Sequence, residues 1–192
     1  MRRPLLCCLL LAVLGLSFAP ALAQDKEPVF HIRPGDVLQI SVWKEEGMDR
    51  ELVVLSDGTV TFPLAGTVAV AGQTIAQAQQ LIKKRLKSAI PDATVTIMVR
   101  SPAGHKVSVL GQVARPGDVI ITGNMTVMQA LSNVGGLTPY ASEGKIIILR
   151  EVDGKKTSIN YPYKAIAAGR KLDEDLRLLP GDVIVVPTSG IF

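Results

Sequence analysis

The sequence predicts an α+β fold built from two small domains, and three observations lead to that prediction. Apolar residues recur at every second position in some segments, as in a half-buried strand, and at every third or fourth position in others, as in a helix. The change from strands to a helix and back to strands occurs twice along the chain. Between the two blocks lies the turn-rich stretch "SPAG", at residues 101–104, which we interpret as the domain boundary. Two such blocks form a compact α+β plan.

The tetrapeptide Pro-Gly-Asp-Val occurs three times, and each copy precedes a short extended run. Proline presets φ at the first central position of a β-turn, glycine accepts the positive φ of the second, and aspartate can bond back to the backbone. We therefore expect a structural turn that begins a strand at all three places. A catalytic role would need a base or a metal near each aspartate, and no such partner recurs. The motif residues are Pro34, Gly35, Asp36, Pro116, Gly117, Asp118, Pro180, Gly181 and Asp182.

The first block opens with a strand and a hairpin. After Asp36, the apolar residues Leu38, Ile40 and Val42 alternate with polar ones, which is the period of a half-buried strand. The stretch "ELVVLSDGTVTFP" then predicts a hairpin closed by a dipeptide that tolerates a tight turn. The residues that mark this hairpin are Asp57, Gly58, Phe62 and Pro63.

A helix follows, because the apolar spacing changes to three and four. Its predicted buried face consists of Ile75, Ala78, Ile82, Leu86 and Ala89. Thr74 and Gln77 form a capping-box pattern at its start, and Pro91 ends it. The stretch "ATVTIMVR" then returns to strand-like alternation and completes the block.

The second block repeats this order. The stretches "KVSVLGQV" and "RPGDVIIT" predict two strands, and Thr126 with Gln129 forms a second capping-box pattern before a short helix. Gly135 and Gly136 end that helix in the usual manner. The stretch "KIIILREVDGKKTSIN" predicts a hairpin around Asp153-Gly154, and a short helical piece over 162–168 precedes the last strand.

Residues 1–23 have the pattern of a secretory signal peptide. Arg2 and Arg3 precede an uncharged apolar run, and "ALA" at 21–23 offers small residues for cleavage. Both cysteines, Cys7 and Cys8, lie in this segment, so we expect a mature chain held together by packing, without disulfides.

Without Arg2 and Arg3, the predicted mature chain has 19 basic residues and 17 acidic ones. This near-neutral charge and the scarcity of aromatic residues exclude a nucleic-acid-binding role.

Two long stretches resemble a known family. The stretch "FHIRPGDVLQISVWKEEGMDRELVVLSDGTVTFPLAGTVAVAGQTIAQAQQLIKKRL" resembles the polysaccharide export domain of Wza-like outer-membrane proteins, and it includes Trp43. The stretches "KVSVLGQVARPGDVII", "TVMQALSNVGGLTPYASEGKIIILR" and "LLPGDVIVVP" resemble the β-grasp module called SLBB. The resemblance implies a small α/β export domain over 28–101 and a β-grasp domain over 105–187, followed by a short tail over 188–192.

The resemblance also implies a function. Members of this family are non-enzymatic components, without cofactors, that help long polysaccharides cross the cell envelope. They form homo-oligomeric rings whose lumen carries the polymer, and they work with an inner-membrane co-polymerase. We therefore expect export into the periplasm and association with the outer membrane through partners.

Two departures from the family pattern shape that expectation. The best-known members are lipoproteins, whereas no suitably placed cysteine occurs here. They also end in a long amphipathic helix that lines an outer-membrane pore, whereas only residues 188–192 follow Pro187. We therefore expect an adaptor ring that docks beneath a separate outer-membrane channel, a β-barrel. The alternative is a periplasmic module that binds or senses sugar without forming a pore.

The sequence offers few candidate residues for catalysis, metal binding or ligand contact. The turn aspartates do not suggest the paired carboxylates of a glycosidase, and His31 and His105 lack metal-ligand spacing, so we predict no catalytic residue and no metal site. Trp43 is interpreted as core packing at a strand end, with sugar stacking or a subunit contact as the alternative. The basic run is interpreted as a solvated helix face, with a contact to an acidic polymer or partner as the alternative. Its residues are Lys83, Lys84, Arg85 and Lys87.

Overall fold

The computed structural model describes residues 29–152 and 154–190. The predicted signal peptide at 1–23, residues 24–28, Asp153 of the predicted hairpin and the last two residues lie outside the described part of the chain. Within the described part, no helix combines the length and the apolar character needed to cross a membrane. The elements form an α+β fold of two domains, as predicted.

The first domain contains five strands and one helix. They are β1 (Val37–Val42), β2 (Asp49–Val53), β3 (Thr59–Phe62), β4 (Gly66–Ala69), α1 (Ile75–Leu86) and β5 (Val95–Ser101). Strands β2, β1 and β5 form an antiparallel sheet in that order, while β3 and β4 form a separate hairpin. One face of the sheet packs against α1 and this hairpin, and among the described residues of this domain no further layer covers the opposite face.

The core of the first domain follows the predicted alternation. Leu38 and Ile40 of β1 are fully buried, and between them Gln39 lies on the other face of the sheet. Helix α1 buries Ala78, Ile82 and Leu86. The helix ends at Leu86, whereas the predicted face continued to Ala89, which is exposed beyond the helix end.

The two strands on either side of Asp57-Gly58 do not pair with each other, although the sequence predicted that they would form a hairpin. A tight turn is present, because the Gly58 amide donates to the Leu55 carbonyl at 2.9 Å. However, β2 pairs with β1, and β3 pairs with β4, so the two strands beside the turn belong to different sheets. The prediction of one hairpin across Asp57-Gly58 was therefore wrong. Local turn chemistry reverses the chain but does not decide which strand supplies the partner.

The second domain is a five-stranded sheet with two short helices and a 3₁₀ turn. Its elements are β6 (Lys106–Gly111), β7 (Gly117–Ile120), α2 (Val127–Asn133), β8 (Ile147–Val152), β9 (Lys155–Asn160), α3 (Tyr163–Ala167), a 3₁₀ turn (Leu172–Glu174) and β10 (Val183–Val186). The strand order is β7-β6-β10-β8-β9, with β6 and β10 parallel at the centre. This mixed sheet covering a helix is the arrangement of a β-grasp domain, as the sequence predicted.

Capping fixes the start of the helix in this core. Thr126 and Gln129 make both bonds of the capping box, and Val127 and Leu131 are buried against the sheet. Asp175 contributes a further bond, because its carboxylate accepts from the Met128 amide at 3.3 Å. The same Asp175 oxygen accepts from the Tyr161 hydroxyl at 2.6 Å, and burial together with this bond raises the pKa of Tyr161. Tyr161 therefore stays protonated, and through Asp175 it connects the end of β9 to the start of α2.

The second copy of the tetrapeptide does not form the predicted turn. Gly35 and Gly181 have φ values of 91° and 96°, as the second central position of a type II turn requires, and a 3.1 Å bond closes the first turn and a 3.0 Å bond the third. Gly117 instead has a φ of 157°, near the extended backbone, and it pairs as a strand residue with Val109. The expectation of a turn at Pro116, Gly117 and Asp118 was wrong, because pairing with β6 draws this segment into the sheet.

Candidate functional site

The carboxylate of Asp36 lies at the junction of the two domains. Asp36 is fully buried, and its two oxygens accept bonds from backbone amides on opposite sides. The Arg33 amide donates to Oδ2 at 2.8 Å, within the turn that begins β1. The Gly104 amide donates to Oδ1 at 2.9 Å, from the segment that links the two domains. The first tetrapeptide therefore joins the start of one domain to the start of the other.

His105 completes this junction. Its ring nitrogen Nε2 lies 3.1 Å from the carbonyl oxygen of His31 and 3.4 Å from Oδ2 of Asp36. Since a carbonyl only accepts, Nε2 carries a proton. The His105 ring also stacks on Phe30, with the ring centres 4.5 Å apart. Sequence reasoning missed this cluster, because Phe30, His31 and His105 carry no motif of their own.

The third tetrapeptide holds a buried ion pair. Arg150, on β8, donates to both carboxylate oxygens of Asp182, at 2.9 and 2.6 Å. The Leu179 amide donates to the same carboxylate at 2.8 Å, and Arg150 also donates to the carbonyl of Arg177. This bidentate ion pair offsets the unfavourable desolvation of the buried Asp182 carboxylate. Its role is to hold the turn before β10 against β8.

Asp118, in the second tetrapeptide, is exposed. It accepts from Lys106 at 2.6 Å and from Ser108 at 2.7 Å, both on the neighbouring strand β6. These two bonds lower the pKa of the Asp118 carboxyl. The three motif aspartates thus have three different sets of partners, and their carboxylates share none of them. Within residues 29–152 and 154–190, no group of three or more His, Asp or Glu residues is arranged to hold a metal ion.

The predicted hairpin residues divide into a core residue and turn residues. Phe62 is buried in the first core, while Pro63 is exposed where β3 turns into β4. Asp57 accepts from the Thr59 hydroxyl and amide, and these bonds lower its pKa. Gly58 has a φ of 81°, and a Cβ placed there would lie 2.7 Å from that of Ala71. Phe62 therefore packs in the core, and the other three residues shape the backbone at the turns.

Trp43 lies on the surface, which overturns its interpretation as a core residue. It follows the last residue of β1, and its amide donates to the Thr94 carbonyl at 3.0 Å. Val42 faces the core, so the next side chain points away from it, and 71 % of Trp43 is exposed. The alternating pattern predicted the strand, but it did not predict that Trp43, one position beyond the strand, would be exposed. The alternatives of sugar stacking and subunit contact remain open for this side chain.

The basic run occupies the exposed side of α1. Lys83, Lys84, Arg85 and Lys87 are all exposed, while Ile82 and Leu86 between them are buried. No acidic residue stands in the first turn of this helix, and the basic residues gather in its last turn. Cations at this end interact favourably with the helix dipole. The solvated position predicted for the run agrees with this placement, and its cationic side chains are accessible to a partner.

A shallow groove of about 420 Å³ lies on the same helix, nearer its start. Its floor is apolar, with Ala76 and the partly exposed side chain of Leu81, and Lys84 stands at one end. The remaining lining residues are Gln73, Gln77 and Gln80. Sequence reasoning missed this groove, because glutamines on the exposed side of a helix give no signal of a depression.

A second hollow, of about 430 Å³, lies in the β-grasp domain. The polar side chains of Lys145, Asn160 and Glu174 line it together with Tyr161 and Pro162. These residues come from separate segments of the sequence, so no local pattern could have predicted their meeting. Amide, ammonium and carboxylate groups around an open hollow are suited to hydroxyl-rich ligands.

Comparisons with known proteins match both domains. Residues 24–100 match the family described as polysaccharide biosynthesis/export protein, and residues 105–186 match the SLBB domain. The chain is 28 % identical over 161 residues to the EPS I polysaccharide export outer membrane protein EpsA of Ralstonia nicotianae, covering 71 % of this chain and 42 % of that protein.

Two further relatives come from capsule systems. The polysialic acid transport protein KpsD of Escherichia coli is 26 % identical over 163 residues, which cover 83 % of this chain and 28 % of that protein. The capsule polysaccharide export outer membrane protein CtrA of Neisseria meningitidis is 25 % identical over 135 residues, which cover 60 % of this chain and 35 % of that protein. The matched part of this chain thus spans less than half of the length of each of these relatives.

Proposed function

The chain belongs to the polysaccharide export family, and from that premise we propose that it forms a ring-shaped conduit or adaptor for an exopolysaccharide or capsule polymer in the cell envelope. The observation that carries the proposal is the tandem of an export domain and an SLBB domain over residues 24–186. Relatives named for the export of EPS I and capsule polysaccharide and for the transport of polysialic acid are similar to 60 to 83 % of this chain.

Two structural features support a conduit. The Gly104 amide of the linker donates to the Asp36 carboxylate, which also accepts from Arg33 in the first turn, so the junction has a defined geometry. The first domain also leaves one face of its sheet uncovered, and strands β2 and β5 are edge strands. In a closed ring, neighbouring subunits can cover such faces and edges.

The partners follow from this role. The ring would receive polymer from an inner-membrane co-polymerase and pass it to a separate outer-membrane channel, with the protein itself in the periplasm. The polymer, an anionic or neutral polysaccharide, would contact the protein through exposed aromatic, amide and charged groups. No reaction step is assigned to the chain.

The second candidate function is a periplasmic module that binds carbohydrate without forming a pore. The polar hollow around Lys145, Asn160 and Glu174 favours it, because these groups can hydrogen-bond sugar hydroxyls. The mass of the protein purified from the periplasm separates the two functions. A conduit requires a large discrete oligomer, whereas a binding module requires only a monomer or dimer.

A deletion strain tests the export role. With no second copy of the gene present, the strain should lose its surface polysaccharide while precursor synthesis continues in the cell. Whole-cell immunoblots measure the polymer outside, and extracts measure the precursor. Expression of the wild-type chain from a plasmid should restore export. Unchanged surface polymer in the deletion strain would overturn the proposed function.

A further inference from the structure

Trp43 stands on an exposed connection between β1 and β2 that carries more acidic than basic side chains. We define the tip as residues 43–47, which connect β1 to β2 and are all exposed. The tip is fixed at its base, because the Val42 amide donates to the Met48 carbonyl at 3.1 Å and the Met48 side chain is buried. It therefore presents an exposed indole on a turn, followed by one cation, Lys44, and by two carboxylates, Glu45 and Glu46.

The groove on α1 has complementary features. Its floor is apolar at Ala76 and Leu81, and its far end carries Lys84. Lys87 lies three residues further along, on the same side of the helix. Ala76 and Lys84 are about 12 Å apart along the axis, at 1.5 Å per residue, which leaves room for an indole beside an ammonium group. A tryptophan with two carboxylates shortly after it in the chain therefore matches this groove in both polarity and charge.

We propose that the tip of one copy of the chain docks in the α1 groove of the next copy, with Trp43 on the apolar floor and Glu45 and Glu46 beside Lys84 and Lys87. The inference rests on the oligomer of the proposed function and names the surfaces that build it. Buried tryptophans surrounded by polar contacts are typical centres of binding energy in protein interfaces.

The position of the two surfaces favours a second copy of the chain as the occupant. Trp43 is 71 % exposed, so it does not fill the groove of its own chain. The tip and the groove are different surfaces, and a contact between unlike surfaces repeats from subunit to subunit and can close into a ring. The lysines at the groove attract anions, and the tip supplies two carboxylates together with an indole that suits the apolar floor. The tip thus matches the groove in both charge and polarity, whereas an anionic polysaccharide offers the charge without an aromatic ring.

A charge swap tests this contact in the full chain, purified from the periplasm. One variant carries Glu45→Lys and Glu46→Lys, a second carries Lys84→Glu and Lys87→Glu, and a third combines all four changes. Mass photometry over a dilution series gives the protein concentration at which half of the oligomer has dissociated. Each double variant should raise that concentration by about tenfold or more, and the combined variant should restore it. Trp43→Ala should raise it as well.

Matched controls separate this result from a general effect of charge or folding. Lys155→Glu with Lys156→Glu makes the same charge change on the exposed strand β9, and it should leave the mass unchanged. All substituted side chains are exposed, so circular dichroism should show wild-type folding in every variant.

Three outcomes would overturn the contact. The first is an unchanged mass in both charge variants, the second is a combined variant that stays dissociated, and the third is a monomeric wild-type chain at every concentration. If the lysine variant keeps its mass but no longer retains anionic polysaccharide in a pull-down, the groove is a polymer site instead. The deletion experiment judges the export role separately, so either idea can fail without the other.

Discussion

Asp36, Asp118 and Asp182 occupy the same position in one repeated tetrapeptide, yet each carboxylate has a different set of partners. Asp36 accepts from two backbone amides and faces His105. Asp182 is paired with Arg150, and Asp118 lies in solvent beside Lys106. A buried carboxylate needs such partners because desolvation of its charge is unfavourable. The motif thus supplies a carboxylate, and its hydrogen-bond and ion-pair partners depend on the surrounding fold.

Asp36→Asn should destabilise the chain although it preserves size and shape. An amide offers one oxygen, so its NH₂ group would face one of the two donors, the Arg33 or the Gly104 amide. An unsatisfied buried group of this kind costs about 1–3 kcal/mol. Urea unfolding followed by circular dichroism measures the loss.

Asp118→Asn is the matched control at the residue scale, because Asp118 is exposed in the same tetrapeptide. Its effect on the unfolding midpoint should be much smaller than that of Asp36→Asn. Equal midpoints for Asp36→Asn and the wild type would show that the junction bonds add nothing to stability.

Helix α1 has two sides with separate roles. Its inner side fills the first core with Ala78, Ile82 and Leu86, and its capping box at Thr74 and Gln77 satisfies backbone groups at its start. Its outer side carries the groove and the basic run, which contribute little to the core. Substitutions on the two sides should therefore separate stability from association.

Ile82→Ala should lower the stability of the first domain by about 2–5 kcal/mol, because it leaves a cavity at a fully buried position. Lys83→Ala, at the neighbouring exposed position, should change stability by less than about 0.5 kcal/mol. Thermal unfolding followed by circular dichroism compares the two variants. A similar melting temperature for both would mean that the helix does not depend on its buried side.

At the scale of the whole molecule, the close approach of the linker to the first turn couples the two domains. Gly104 lies so near this turn that a Cβ there would be 2.5 Å from the Pro34 carbonyl oxygen and 2.9 Å from a carboxylate oxygen of Asp36. Backbone atoms cannot move aside as a flexible side chain can. Only glycine therefore allows the linker to donate its amide to Asp36.

Gly104→Ala should push the linker away from the turn and loosen the junction, with a loss of about 1–3 kcal/mol. Limited proteolysis measures the effect, because a detached linker over 101–106 should be cleaved faster than in the wild type. Gly144→Ala is the matched control, since no atom lies within 4 Å of a Cβ at that position. Equal cleavage rates in the two variants would contradict the coupling of the domains through this contact.

Much of the fold could be predicted because its signals are short-range. Alternation identified β1 and β5, a three-and-four spacing identified α1, and threonine–glutamine pairs marked the start of both longer helices. These patterns depend on residues a few positions apart, whose geometry the backbone dictates. The family, too, could be predicted from ordered motifs, because they lie along most of residues 24–186.

The sequence by itself thus determined the α+β class, the helices and most strands, the family and the residues able to form turns. Only the tertiary structure decided that β3 pairs with β4, that Gly117 joins a strand, that Trp43 is exposed, and that the amide of Gly104, 68 residues away, holds Asp36. The physical reason is the separation along the sequence between the residues that interact. Turns and helix caps follow from neighbouring residues, whereas strand partners, burial and the neutralisation of a buried charge depend on distant segments that meet only when the chain has folded.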